Sequence, residues 1–135
     1  MKKTLISGLI AGVVLLLLSF LGLHLTMLVC PKLATEYFNP VFEGQSDRYL
    51  LYYLHPFIIS LALSWFWARF KGLLSGSFIS LGIEFGLIYV LIAVFPMMWL
   101  IYSSMNLSVT IVASWLAFAL MQGMVAGLIF EKTNP

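Results

Sequence analysis

The side chain with the clearest capacity for chemistry in this sequence is the carboxylate of Glu84. It lies in an apolar run, residues 77–105, that contains no other charged residue. A carboxylate in such a run is costly to place in hydrocarbon, so it is expected to face protein or water. Gly82 and Gly86 flank it, and glycines four residues apart let another helix backbone approach closely. The stretch therefore combines a close-packing signal with an expensive acidic group.

Two interpretations of Glu84 stay open. In one, it is a proton- or cation-binding carboxylate of a transport or sensing site. In the other, which we favour because no second carboxylate lies at depth, it makes a structural contact. Its expected partner is Gln122, since both lie about 11–13 Å from the same end of their helices; Arg69 and Lys71 are alternatives. Ser80 and Ile88 are expected to share its face and its contacts, and free exposure of Glu84 to lipid is excluded.

His24 and His55 are weak candidates for a haem or metal site, because imidazoles from two helices can hold an iron or another metal. Neither histidine has a second ligand one helical turn further on. Cys30 is the only cysteine and would be a soft ligand at most. We favour two interfacial histidines with polar partners, and the sequence predicts no bound cofactor.

The composition defines the class of protein. The chain is 62% hydrophobic and 9% charged, whereas soluble domains are about a quarter charged. A membrane protein is predicted, with the lipid bilayer as its surroundings. The net charge of +2 and the lack of a basic patch argue against a nucleic-acid partner.

The apolar runs predict an all-α, four-transmembrane-helix, up-down-up-down bundle that forms one domain, residues 1–135. The first run is too long for a signal-peptide core of about 7–15 residues, so we expect it to be retained as a helix. A polar outer loop is expected at residues 31–49. Pro56 is expected to place the start of its helix near His55 or else to kink the helix, and Pro96 is expected to bend its helix or loosen the last turn. The predicted spans are residues 4–29, 50–70, 77–102 and 107–130.

Small residues spaced four apart in all four spans are expected to mediate helix packing. They fall within about 6–16 Å of one end of the bundle, which predicts tight packing there and a wider opposite end. The residues are Gly8, Gly12, Ser60, Ser64, Gly82, Gly86, Gly123 and Gly127.

The distribution of lysines and arginines predicts the orientation. Five lie on the side of the two termini, and only Lys32 and Arg48 lie on the other. Basic residues are enriched in cytoplasmic loops. Both termini are therefore expected in the cytoplasm, with the protein in a bacterial inner membrane.

Catalytic signatures such as H-E-x-x-H, a phosphate loop or C-x-x-C are absent from the sequence, which favours a non-enzymatic protein. The preferred hypothesis is an accessory, assembly or oligomeric membrane subunit that acts through helix packing with a second copy or another membrane protein. The alternative is a small proton-linked transporter or channel that uses Glu84. The third is haem or metal binding by the two histidines.

In length and helix number the chain resembles the small multidrug-resistance transporters, which also have four short helices and one membrane-embedded glutamate. Their glutamate lies in the first helix, whereas the first predicted span here contains no acidic residue. The resemblance therefore does not extend to the position of the carboxylate, and it predicts no family membership.

Overall fold

The computed structural model describes residues 1–37, 40 and 48–135, and in these residues the chain is helical and has no strands. Four segments are long and apolar enough to cross a membrane: Lys2–Val29, Tyr49–Leu73, Phe78–Ser104 and Val109–Thr133. The helices are α1 (Lys2–Val29), α2 (Pro31–Glu36), α3 (Tyr49–Phe70), α4 (Phe78–Tyr89), α5 (Phe95–Ser104) and α6 (Val109–Thr133), with a 3-10 turn at Lys71–Leu73 and a π-helical segment at Val90–Val94.

The two prolines have different effects on the long helices. Pro56 is buried inside α3, which begins seven residues earlier at Tyr49. Pro96 lies in the first turn of α5, directly after the π-helical segment Val90–Val94. Because proline has no N–H and its ring crowds the carbonyl one turn earlier, the helix widens before Pro96. The disturbance therefore lies in the middle of this long segment, upstream of the last turn where the sequence placed it.

The predicted outer loop, residues 31–49, contains the short helix α2. Glu36, at the end of α2, accepts a hydrogen bond from the hydroxyl of Ser108, which is the N-cap of α6 and also accepts from the amide of Ile111. This contact ties α2 to the start of α6. Residues 38, 39 and 41–47 of the predicted loop lie outside the described part of the chain.

The long helices pack in the spatial order α3, α1, α6, α4. The main contacts join α1 to α3 and α4 to α6, and α1 also packs against α6. Although α3 and α4 are consecutive in the sequence, their backbones stay apart, and side chains such as Trp67 and Phe85 bridge them with ring centroids 5.2 Å apart.

Most of the core lies at the end of the bundle beside the two termini, although Ile111 at the start of α6 is also buried. Buried positions of α1 fall between residues 7 and 15, and none of residues 16–29 is buried. The buried positions of α4 stop at Gly86, and α5 has none. A cluster of Trp67, Phe85 and Phe130, each 1% exposed or less, fills the tight end.

Candidate functional site

The contact between α1 and α3 is formed by small residues. A Cβ atom at Gly8 would lie 2.9 Å from Leu61 Cδ2 and 3.2 Å from Ser64 Cβ. At Gly12, a Cβ would lie 2.9 Å from the hydroxyl of Ser60. The hydroxyls of Ser7 and Ser64 are 2.9 Å apart, and Ser64 also donates to the carbonyl of Thr4. Close approach of the two backbones thus comes with polar contacts between the helices.

The contact between α4 and α6 is closer still, because glycine faces glycine. A Cβ atom at Gly123 would lie 2.9 Å from the Cα of Gly86. At Gly127, a Cβ would lie 3.1 Å from Phe85 Cβ and 3.3 Å from the Cα of Gly82. All eight small residues singled out in the sequence therefore lie at contacts within this chain, and none of their surfaces is left for a partner.

The last two residues, Asn134 and Pro135, are hydrogen-bonded to side chains at the C-terminal end of α3 and in the 3-10 turn after it. Trp67 Nε1 donates a hydrogen bond of 3.0 Å to the carbonyl of Asn134, and Lys71 Nζ donates one of 3.1 Å to the same oxygen. Lys71 also contacts a terminal oxygen of Pro135. These bonds use the ammonium group of Lys71, one of the partners considered for Glu84.

Glu84 lies on the face of α4 that points away from α6. Helical residues advance about 100° each, so Glu84 is about 160° around the helix from both Gly82 and Gly86, which pack on α6. The residue is half-buried. Among the described residues, none forms a hydrogen bond or an ion pair with its carboxylate.

The expected hydrogen bond between Glu84 and Gln122 is not formed in the described residues. Gln122 is 5% exposed and lies on the side of α6 next to the glycine that meets α4, whereas Glu84 points away from α6. Ser80, one turn before Glu84, is exposed; its amide donates to the N-cap hydroxyl of Ser77. Arg69 instead places its guanidinium 5.3 Å from the ring centroid of Trp65. The carboxylate thus has none of its expected intrachain partners.

The residues considered for a metal site lie at exposed positions on two different helices. His24, His55 and Cys30 are all exposed, on α1, on α3 and at the end of α1. Within the described part of the chain, no group of three or more His, Cys, Asp or Glu residues is close enough to hold a metal ion. Geometry therefore adds no support to the haem or metal hypothesis.

Sequence reasoning missed an apolar groove between α3 and α4. The groove has a volume of about 380 Å³ and is lined almost entirely by carbon. It opens to the molecular surface, because Ile58, Trp65 and Ile92 in its lining are 64%, 57% and 69% exposed. The only sequence signal for it is Pro96, since the wide π-helical turn before it carries Ile92 and Ala93 in the groove wall.

Comparisons of the chain with protein-family models, with curated proteins and with solved structures found no match. The fold and composition define the class: the described residues are helical without strands, and four of their segments are long and apolar enough to cross a membrane.

Proposed function

We propose that the protein is an up-down-up-down integral protein of a bacterial inner membrane with both termini in the cytoplasm. Contacts along α1 and α3 run in opposite order, from Gly8 with Ser64 to Gly12 with Ser60, and those of α4 with α6 do likewise. Charge distribution supports the orientation, since five of the seven lysines and arginines lie at the end with the termini.

A reporter fused after Pro135 tests this orientation. A reporter that works only in the periplasm is expected to be inactive there, and one that works only in the cytoplasm is expected to be active. The same pair of fusions placed after Lys32 should give the opposite result. Periplasmic activity at Pro135 would contradict the proposed orientation.

Within the membrane, the protein acts as a non-enzymatic oligomeric subunit whose copies meet at the Glu84 face of α4. The observation that carries this proposal is the half-buried carboxylate with no hydrogen bond or ion pair from any described residue. An acidic side chain in a span is expected to face protein or water rather than lipid. A group from outside the chain would therefore complete its contacts.

A second copy of this chain fits that requirement best. In a twofold-symmetric dimer the same patch meets itself, so Glu84 would lie opposite Glu84. Each Glu84 side chain would then face protein rather than lipid. The surrounding face offers apolar area, with Ile83 41% and Leu87 45% exposed. The glycine stripes are not available for this purpose, because they are used within the chain.

Cysteine cross-linking in membranes tests the interface. In a Cys30→Ser background, Ile83→Cys is expected to give a disulfide-linked dimer on oxidation. Leu9→Cys is the matched control, since it lies at the same depth, about 9 Å from the same end, and is 45% exposed on α1. It is expected to give no dimer.

Two substitutions of Glu84 distinguish the hydrogen-bonding capacity of its side chain from its negative charge. Glu84→Gln can still donate and accept, so cross-linking through Ile83→Cys should persist. Glu84→Leu should lower it about three- to twentyfold, the equivalent of about 0.6–1.7 kcal/mol for an interhelical hydrogen bond in a membrane. Equal cross-linking by Leu9→Cys, or a monomer in every variant, would overturn the proposal.

Proton-linked transport by Glu84 is the second candidate, favoured by the same unpaired carboxylate. It predicts pH-dependent flux in liposomes that Glu84→Gln abolishes, although that variant keeps the dimer. Loss of flux with retained cross-linking would establish transport, and the absence of flux in the parent would leave the packing role.

A further inference from the structure

The groove between α3 and α4 has the dimensions and lining of a site for a hydrocarbon chain. Its volume of about 380 Å³ is within the range of about 300–1,000 Å³ of small-molecule sites. On α3 its lining extends from Ile58 to Phe66, about 12 Å along the helix axis. The lining is almost entirely apolar, so an extended acyl chain can lie in it without leaving a polar group unpaired.

The end of the groove nearest the termini carries an available positive charge. Trp65 lines the groove, and the guanidinium of Arg69 lies 5.3 Å from the centroid of its ring. Arg69 is exposed and has no ion pair with any described acidic side chain. Lys71, two residues on, is occupied by the carbonyl of Asn134. Arg69 thus lies beside this mouth with no ion pair among the described residues, and it can meet a ligand there.

The chemical class of the ligand follows from the combination of an apolar groove with Arg69 at its end. A guanidinium presents a planar fork of donors that matches phosphate oxygens. Lysines and arginines beside a cytoplasmic membrane surface attract anionic lipids. Of the other charges at this end, Lys2, Lys3 and Lys132 add to the attraction, and Glu131 opposes it. Glu84 lies deeper than Arg69, one helical turn before the groove-lining Ile88, and its charge would also oppose an anionic ligand.

From these observations we infer that the protein binds one anionic phospholipid, with an acyl chain in the α3–α4 groove and the phosphate on Arg69. The site depends on membrane insertion, but it does not depend on contact between copies through Glu84. Failure of the cross-linking test would therefore leave it intact, and its own failure would leave the proposed dimer intact.

Quenching of tryptophan fluorescence by brominated lipids provides the test, because Trp65 lies in the groove wall. The protein is reconstituted in phosphatidylcholine vesicles that contain a minor fraction of brominated phosphatidylglycerol or brominated phosphatidylcholine. The anionic lipid is expected to quench with about fivefold preference, the equivalent of about 1 kcal/mol for one basic side chain. Trp65→Phe should remove this preferential component, which assigns it to the groove.

Two variants separate the headgroup contact from the chain contact. Arg69→Gln is expected to bring the preference close to one. Lys132→Gln, the same loss of charge at the same end but on another helix, should retain most of the preference, because Lys132 adds only a general attraction. Ala62→Phe places a ring in the groove lining and should abolish preferential quenching with Arg69 intact. Far-UV circular dichroism of each variant verifies that the helices are retained.

Several results would overturn the inference. One is equal quenching by both lipids in the parent protein, and another is an unchanged preference in Arg69→Gln. A third is efficient disulfide cross-linking by Ala62→Cys in the Cys30→Ser background, which would mean that a second copy occupies the groove.

Discussion

Replacement of Trp67 by alanine is expected to lower the free energy of unfolding by about 3–5 kcal/mol, the range for truncating a buried aromatic side chain. Trp67 is 1% exposed and packs edge-on against Phe85, with ring centroids 5.2 Å apart, and against Phe130 at 6.2 Å. Through this side chain α3 contacts both α4 and α6. Its loss would leave a cavity where three helices meet.

The measurement is unfolding of the purified protein in mixed micelles, followed by far-UV circular dichroism. Trp99→Ala is the matched control, because Trp99 is 69% exposed, and it should change stability by less than about 0.5 kcal/mol. Trp67→Phe should fall between the two, since it keeps most of the ring contacts but removes the donor to Asn134. Equal stability of Trp67→Ala and Trp99→Ala would contradict the described core.

Gly86→Val is expected to separate α4 from α6. A Cβ atom at Gly86 would lie 2.9 Å from the amide nitrogen of Met124 and 3.0 Å from the carbonyl oxygen of Leu120. These are backbone atoms of a helix and cannot turn aside as a side chain can. We expect a loss of stability of at least about 1–3 kcal/mol, as for other overpacked positions.

Gly72→Val is the control for this substitution, because a Cβ atom at Gly72 would meet nothing within 4 Å. It should retain the parent's unfolding midpoint in the same micelle assay. Gly123→Val should resemble Gly86→Val, since its Cβ would approach the Cα of Gly86 at 2.9 Å. A Gly86→Val protein as stable as Gly72→Val would mean that the two helices do not cross closely.

Composition and run length made the helical class predictable. With 9% charged residues, each long apolar run can satisfy its backbone polar groups only within itself, as a helix does in hydrocarbon. Glycines four residues apart marked where backbones approach, because that spacing places them on one helix face. These signals depend only on residues within one segment, so they can be recognised in the sequence before the fold is known.

The partners of each helix were decided by the tertiary structure. A glycine stripe predicts a close contact but does not say with which helix, and here Gly86 meets α6 rather than α3. Because α4 packs on α6 through its glycine face, Glu84 points away from α6 and from Gln122. The consecutive helices α3 and α4 remain apart.

The sequence by itself determined that the chain forms four long apolar helices, where their small residues lie, and that Glu84 is the costly group among them. Only the tertiary structure decided that Glu84 has no hydrogen bond or ion pair from the residues it describes and that a groove opens beside Trp65. The physical reason is that hydrophobicity and helix periodicity are properties of a segment. Packing order and the space between helices depend on which faces meet, and similar apolar faces do not distinguish one neighbour from another.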